Sequence, residues 1–107
     1  MLKRRVVVTG IGIKSSIGNS LKDFFDGLKK GKNGIKPISF IKDANLPVKV
    51  AAYDYEFNPL EYFSKKEIRR TDRFCQFAVS ATKDALDGND VSSFYDPYKV
   101  GVFLVVE

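Results

Sequence analysis

Four cations recur at helical spacing in "KKEIRRTDRFC": Lys66, Arg69, Arg70 and Arg73 stand at i, i+3, i+4 and i+7. On one continuous helix this spacing stacks them into a single positive stripe. Such a stripe suits an acidic partner, whose approach it would steer in a salt-sensitive way. It is also the pattern of an ordinary solvated helix face. Aromatic residues interleaved to stack nucleotide bases are missing, which argues against nucleic acid. The other reactive side chain is a single thiol, Cys75, in a sequence with no histidine. A cysteine nucleophile needs a base or cation that yields its thiolate, and between Phe74 and Phe77 the expected role is that of a small buried hydrophobe. No residue is therefore assigned a catalytic role. The same two counts remove imidazole acid–base chemistry and leave too few ligands for a zinc site. One cysteine forbids an intramolecular disulfide and fits a reducing, cytoplasmic setting.

A third chemistry is suggested by "VVVTGIGIKSSIGN", residues 6–19. Gly10 and Gly12 give the first half of a dinucleotide-binding fingerprint, but Ser15 stands where the third glycine belongs and the next glycine is Gly18. A short-chain dehydrogenase would also follow its first helix with a strand ending in an acidic residue. The sequence offers "NGIKPISFIKDANLP", broken by two prolines. The loop is expected to be a strand-to-helix turn that holds no cofactor.

These residues must be positioned by a modest scaffold. The 107 residues are 44% hydrophobic and 29% charged with net charge +5, an ordinary soluble composition. No apolar run approaches the ~20 residues of a membrane span. Lys3-Arg4-Arg5 is followed by only three valines, too few for a secretory signal. Arg5–Thr9 and Val100–Val106 read as continuous apolar strands buried on both faces, as in a parallel sheet. Leu21, Phe24, Phe25 and Leu28 form one helical stripe after an Asn19 or Ser20 N-cap, ending at Lys29, Lys30 and a left-handed Gly31. Val48–Tyr55 contains a further strand, and Asn58-Pro59 opens a short helical turn. A long helix is expected from Ser64 to Asp87, closed by Gly88-Asn89. Its apolar side, Ile68, Cys75, Ala78, Val79, Thr82, Ala85 and Leu86, should face a core. Two buried strands make an incomplete sheet, so the chain reads as the front of a larger α/β domain. The exposed edge of "VGVFLVV" should favour self-association.

"KRRVVVTGIGIKSSIGN" and "FNPLEYFSKKEIRRTDRFCQFAVSATKDAL" closely resemble, in that order and spacing, the N-terminal part of β-ketoacyl-acyl carrier protein synthases of type II. "VGVFL" falls where that family has its next core strand, and Ser15-Ser16 replaces the usual Ser-Pro. The resemblance implies a thiolase-like layered α/β/α/β/α fold, of which residues 1–107 are one incomplete domain. It implies decarboxylative Claisen condensation for the parent enzyme, with the catalytic cysteine and two histidines beyond the matched stretch. It further implies acyl carrier protein as partner, docked on Lys66, Arg69 and Arg70, and a homodimer or other homo-oligomer. No cofactor, metal, nucleic acid or membrane is implied. Two alternatives remain at this point: a non-catalytic carrier-binding module, and a nucleotide-binding fragment of dehydrogenase type.

Overall fold

Ser20 opens the first helix as the spacing predicts. In the computed structural model, which describes residues 3–38 and 45–106, its hydroxyl accepts the Asp23 N–H at 3.1 Å and helix α1 runs Leu21–Lys29. Asp23 in the first turn and Lys29 in the last complement the helix dipole. Gly31 takes φ +64°, the left-handed turn that a side chain would strain. A two-stranded antiparallel sheet follows, β1 (Ile35–Pro37) paired with β2 (Val50–Ala52), in the register Ile35↔Ala52, Lys36↔Ala51, Pro37↔Val50. The strand expected over Val48–Tyr55 is thus a three-residue piece of that span. A 3₁₀ turn at Pro59–Glu61 is capped by the Asn58 side chain, as the Asn-Pro pair suggests.

The long helix expected from Ser64 to Asp87 is two helices. Helix α2 covers Lys65–Ile68 and α3 covers Arg73–Leu86. Between them Asp72 is extended and serves as the N-cap residue of α3. Gln76, buried at 5% exposure, secures the break: its Nε2 donates to the carbonyls of Thr71 (3.1 Å) and Ile68 (3.4 Å). The Thr71 hydroxyl donates to the Glu67 carbonyl at 2.8 Å. Carbonyls that a continuous helix would satisfy with its own N–H groups are taken by side chains instead. At the far end Asp87 (φ +48°) and Gly88 (φ +77°) form the left-handed stop, and Asn89 bonds back to the Leu86 carbonyl.

The break also changes which face of α3 is buried. Gln76 and Ser80 are buried, with Arg73, Phe77 and Asp84 half-buried on the same side. The expected apolar side is only partly covered: Cys75, Ala78 and Ala85 are half-buried, while Val79, Thr82 and Leu86 are exposed. What α3 packs against is the aromatic pair Phe57 and Tyr62 and the opening segment. Phe57, 7% exposed, lies 4.9 Å from the Phe77 ring and 6.4 Å from Tyr62.

The opening segment owes its path to two glycines. A Cβ on Gly12 would overlap the Ala81 carbonyl oxygen, and one on Gly10 the Ala85 carbonyl oxygen. Residues two apart in an extended chain are matched to residues four apart on a helix, because ~6.6 Å of strand spans about the same distance as ~6 Å of helix. The segment therefore lies with its backbone directly on α3.

The two apolar strands differ from expectation. Residues 5–9 and 100–106 join no ladder among the described residues, and Val6 (94%) and Val102 (87%) face solvent instead of a core. A strand is made by its neighbour, and none of the described residues supplies one. The surface of 9728 Å² compares with about 6,000 Å² for a compact monomer of 12.0 kDa. The radius of gyration, 17.7 Å, likewise exceeds the roughly 13 Å of a compact domain of this length.

The packing of the opening segment yields a graded prediction. Gly12→Ala should cost about 2–3 kcal/mol in urea unfolding, because backbone must move. Gly31→Ala, with open space around it, should cost only about 1 kcal/mol of left-handed strain. Equal losses would show that the segment does not lie on α3.

Candidate functional site

The sequence places the candidate docking cations on α2 and its exit. Helix α2 is one turn long and depends on its cap. Ser64 and Glu67 form a reciprocal capping box, with the Glu67 carboxylate accepting from the Ser64 N–H at 2.8 Å and the Ser64 hydroxyl accepting from the Glu67 N–H at 3.3 Å. Hydrogen bonds from the Ser64 N–H and hydroxyl hold the Glu67 carboxyl below its ordinary range. The backbone remains helical at Arg69, and the Arg70 N–H donates to the Glu67 carbonyl at 3.0 Å. Lys66, Arg69 and Arg70 therefore stay on one turn, and all three are exposed.

Arg73 does not share that surface. The four-cation stripe required one continuous helix, and the break at 69–72 turns Arg73 inward. Its guanidinium lies 4.7 Å from the Tyr53 ring, 5.2 Å from Phe77 and 5.6 Å from Phe57, and donates to the Asp54 carbonyl. Planar and weakly hydrated, a guanidinium suits such an aromatic enclosure. Beneath it Asp54, 7% exposed, ties its own loop by accepting the Glu56 and Phe57 N–H groups and reaches α1's lead-in through Asn19 Nδ2 at 3.0 Å. Lys83 is also engaged, donating to the Tyr62 carbonyl at 3.0 Å over the Phe63 ring.

A second cluster was not legible in the sequence. Lys14 Nζ donates to Asp84 Oδ2 (2.6 Å), to the Tyr62 hydroxyl (2.9 Å) and to the Asn19 carbonyl (2.7 Å). The Tyr62 hydroxyl in turn donates to Asp84 Oδ1 at 2.7 Å, closing a triangle. The Lys14 side chain is 4% exposed and that of Asp84 is 32% exposed. Only a lone lysine between Ile13 and Ser15, in a loop of small and apolar residues, hinted at a buried charge. The triangle lines a cleft of about 560 Å³ together with Gly12, Asn19 and Phe57.

The chemistry available to Lys14 is limited by these partners. An ammonium has three donors, and all three are occupied. Burial pushes its pKa down, but the hydrogen bonds and negative charge of Asp84, with Tyr62, more than offset this and raise it above the ordinary 10.5. A fully bonded cation is neither a nucleophile nor a free phosphate ligand. Gly10 and Gly12 abut helix carbonyl oxygens, which repel phosphate. The loop is therefore a packing element, and the nucleotide-binding alternative loses its site.

Cys75 moves as well. Because α3 begins at Arg73, the thiol lies half-buried in the first turn rather than midway along a helix. The sequence contains no imidazole to serve as its base. Among the described residues no helix is long and apolar enough to cross a membrane.

The triangle predicts a stability plateau with two limbs. Burial raises the Asp84 pKa, but hydrogen bonds from Lys14 and Tyr62 outweigh it and leave the carboxyl below its ordinary 3.8. Its contribution is present above pH 3.8 and lost as pH falls through the folded value. Lys14 lies above 10.5, and Tyr62 is raised above 10.0, first by burial and also by Asp84. Both contributions are complete below those values and vanish as pH rises through the folded ones. Asp84→Asn should cost about 2 kcal/mol near neutrality, discounted for the partial exposure of the carboxylate, and flatten the acid limb. Urea titrations of both proteins from pH ~3 to ~11 check this, and an unchanged acid limb would refute it.

With this geometry in place, similarity to known proteins is informative. A family model described as β-ketoacyl synthase, N-terminal domain, matches residues 3–107. A 3-oxoacyl-[acyl-carrier-protein] synthase 2 from Synechocystis is 37% identical over 103 residues, 95% of this chain and 25% of the relative. The protein of the same name from Coxiella burnetii is 38% identical over 104 residues, again 95% and 25%. One from Staphylococcus aureus is 41% identical over 92 residues, 81% of this chain and 22% of its own length. The chain spans about a quarter of the length of these relatives. By name they are 3-oxoacyl-[acyl-carrier-protein] synthases, not dehydrogenases or free-standing binding modules.

Proposed function

The chain belongs to the β-ketoacyl synthase family, and on that premise we propose that it is the N-terminal scaffold of a condensing enzyme and carries part of its carrier-protein dock. The parent fold is thiolase-like and layered, and the small α/β unit described above is its first portion. The parent reaction is a decarboxylative Claisen condensation. An acyl group held as a thioester on cysteine is attacked by the carbanion left when malonyl-carrier protein loses CO₂. The new carbon–carbon bond gives 3-oxoacyl-carrier protein and returns the thiolate. Residues 1–107 contribute none of the groups that do this chemistry: the one thiol has no imidazole in the sequence to activate it. Their share is to bind and orient. The working enzyme is cytoplasmic, and a homodimer or other homo-oligomer.

The observation that supports the docking role is the sorting of cations. Lys14, Arg73 and Lys83 are each engaged by named partners. Lys66, Arg69 and Arg70 are left exposed on one capped turn. An acidic carrier meeting that turn gains mainly association rate and orientation, and loses both in salt.

Reversal of all three charges (Lys66→Glu, Arg69→Glu, Arg70→Glu) should weaken binding of an acidic acyl carrier protein by about tenfold or more and flatten its salt dependence. Exposed positions leave the helix content intact, which circular dichroism checks. Fluorescence anisotropy at low and high salt reads the affinity, and unchanged binding would refute the dock.

A further inference from the structure

Tyr62 is the residue through which the buried triangle reaches the exposed cations. Its hydroxyl accepts from Lys14 Nζ (2.9 Å) and donates to Asp84 Oδ1 (2.7 Å), while its carbonyl accepts from Lys83 Nζ at 3.0 Å. Lys83 and Asp84 are neighbours near the end of α3, so this one residue is held by both its phenol and its main chain. Its ring is stacked 6.4 Å from that of Phe57. Neutralising Lys14 does not require the phenol. The lysine and Asp84 already meet at 2.6 Å, and the carboxylate, 32% exposed, could take water at Oδ1 instead. What the phenol adds is a tie between α3 and the chain entering α2.

That tie matters because α2 cannot hold itself. Its four residues are far below the ~12–15 at which an isolated helix becomes marginal. Ser64, whose capping box closes α2, follows Tyr62 by two residues, at most ~7 Å of chain. On the other flank Gln76 Nε2 takes the Ile68 and Thr71 carbonyls. Gln76 and Asp84 both belong to α3, about 12 Å apart along its axis. The segment carrying Lys66, Arg69 and Arg70 is therefore strapped to α3 at two points. The Gln76 strap is local in sequence, whereas the Tyr62 strap joins residues 22 and 48 positions apart. The second is the one that sets where the turn lies on the rest of the chain.

We propose that Tyr62 is a positioning residue for carrier-protein binding: its bonds to Lys14, Lys83 and Asp84 fix the turn that bears Lys66, Arg69 and Arg70, so that an acidic carrier meets three cations already in place. This rests on the docking role proposed above and adds to it a residue whose own polar groups are engaged within the chain. Long-range steering depends on the summed charge of the surface and tolerates a loose turn. Short-range ion pairs in the complex do not, because each is weakened by whatever ordering must be done on binding. Loosening the turn therefore spares the association rate and shortens the lifetime of the complex.

The test is Tyr62→Phe in the 107-residue chain, which keeps the ring, every charge and the Lys14–Asp84 pair. Circular dichroism confirms that the variant is folded. Stopped-flow fluorescence with an acidic acyl carrier protein should show association within about twofold of the unaltered chain and dissociation about threefold faster or more. Hydrogen exchange at the Ile68, Arg69 and Arg70 amides, which close the turn, should quicken. Added to the triple reversal Lys66→Glu, Arg69→Glu, Arg70→Glu, the Tyr62→Phe change should have no further effect on binding, because it acts through those cations. Gly31→Ala, strained at a site with open space around it, should leave both rates unchanged. Three results would overturn the proposal. Tyr62→Phe lowers the unfolding midpoint but leaves dissociation unchanged; Gly31→Ala speeds dissociation as much; or Tyr62→Phe weakens the charge-reversed chain by the same factor. An unaltered chain with no salt-sensitive carrier binding would overturn the dock itself, and this inference with it.

Discussion

Lys14 places a full positive charge where only 4% of its side chain meets solvent, and the rest of the molecule is arranged to make that tolerable. An isolated buried ammonium would lose its proton or unfold its surroundings. Here it is met by a carboxylate from α3, a phenol from the segment entering α2 and a carbonyl from the lead-in to α1. Three parts of the chain separated by up to 70 residues are thereby brought to one atom. The closeness needed for Lys14 to reach Asp84 is the closeness that excludes side chains at Gly10 and Gly12. Charge pairing and glycine packing are two expressions of one contact between the opening segment and α3.

That contact bears on the exposed cations through Tyr62. The phenol bonded to Lys14 and Asp84 lies two residues before Ser64, the cap on which α2 depends. Lys83, on the same helix as Asp84, fixes the Tyr62 carbonyl and covers Phe63. The turn bearing Lys66, Arg69 and Arg70 is thus anchored at its start by the buried triangle and at its end by Gln76. A helix of four residues has little stability of its own. Its position is set by side chains on either flank.

The aromatic enclosure of Arg73 and the buried Asp54 form the remaining fixed point, joining the loop before Phe57 to α3. Both centres are polar, and Phe57 is the buried hydrophobic side chain among the described residues. The unit is held by paired charges and a few rings, with its valine-rich segments outside.

Much of the local structure was legible in the residues themselves. Ser20 as a cap, Gly31 and Gly88 in left-handed turns, and the Asn58-Pro59 turn follow from interactions within a few positions, which sequence encodes directly. The two long motifs also identified the family. Features requiring distant residues were not visible. The Thr71-Asp72 break looked like helix because its cause is a glutamine one turn on, and Arg73 looked like a surface cation because its cage comes from Tyr53, Phe57 and Phe77. The valine segments, expected as strands of an incomplete sheet, join no ladder among the described residues and are exposed. The sequence alone settled local backbone geometry, charge inventory and the want of an imidazole. Tertiary structure decided which cations meet solvent and which are consumed, because a charge is exposed or buried only through what the rest of the chain places beside it.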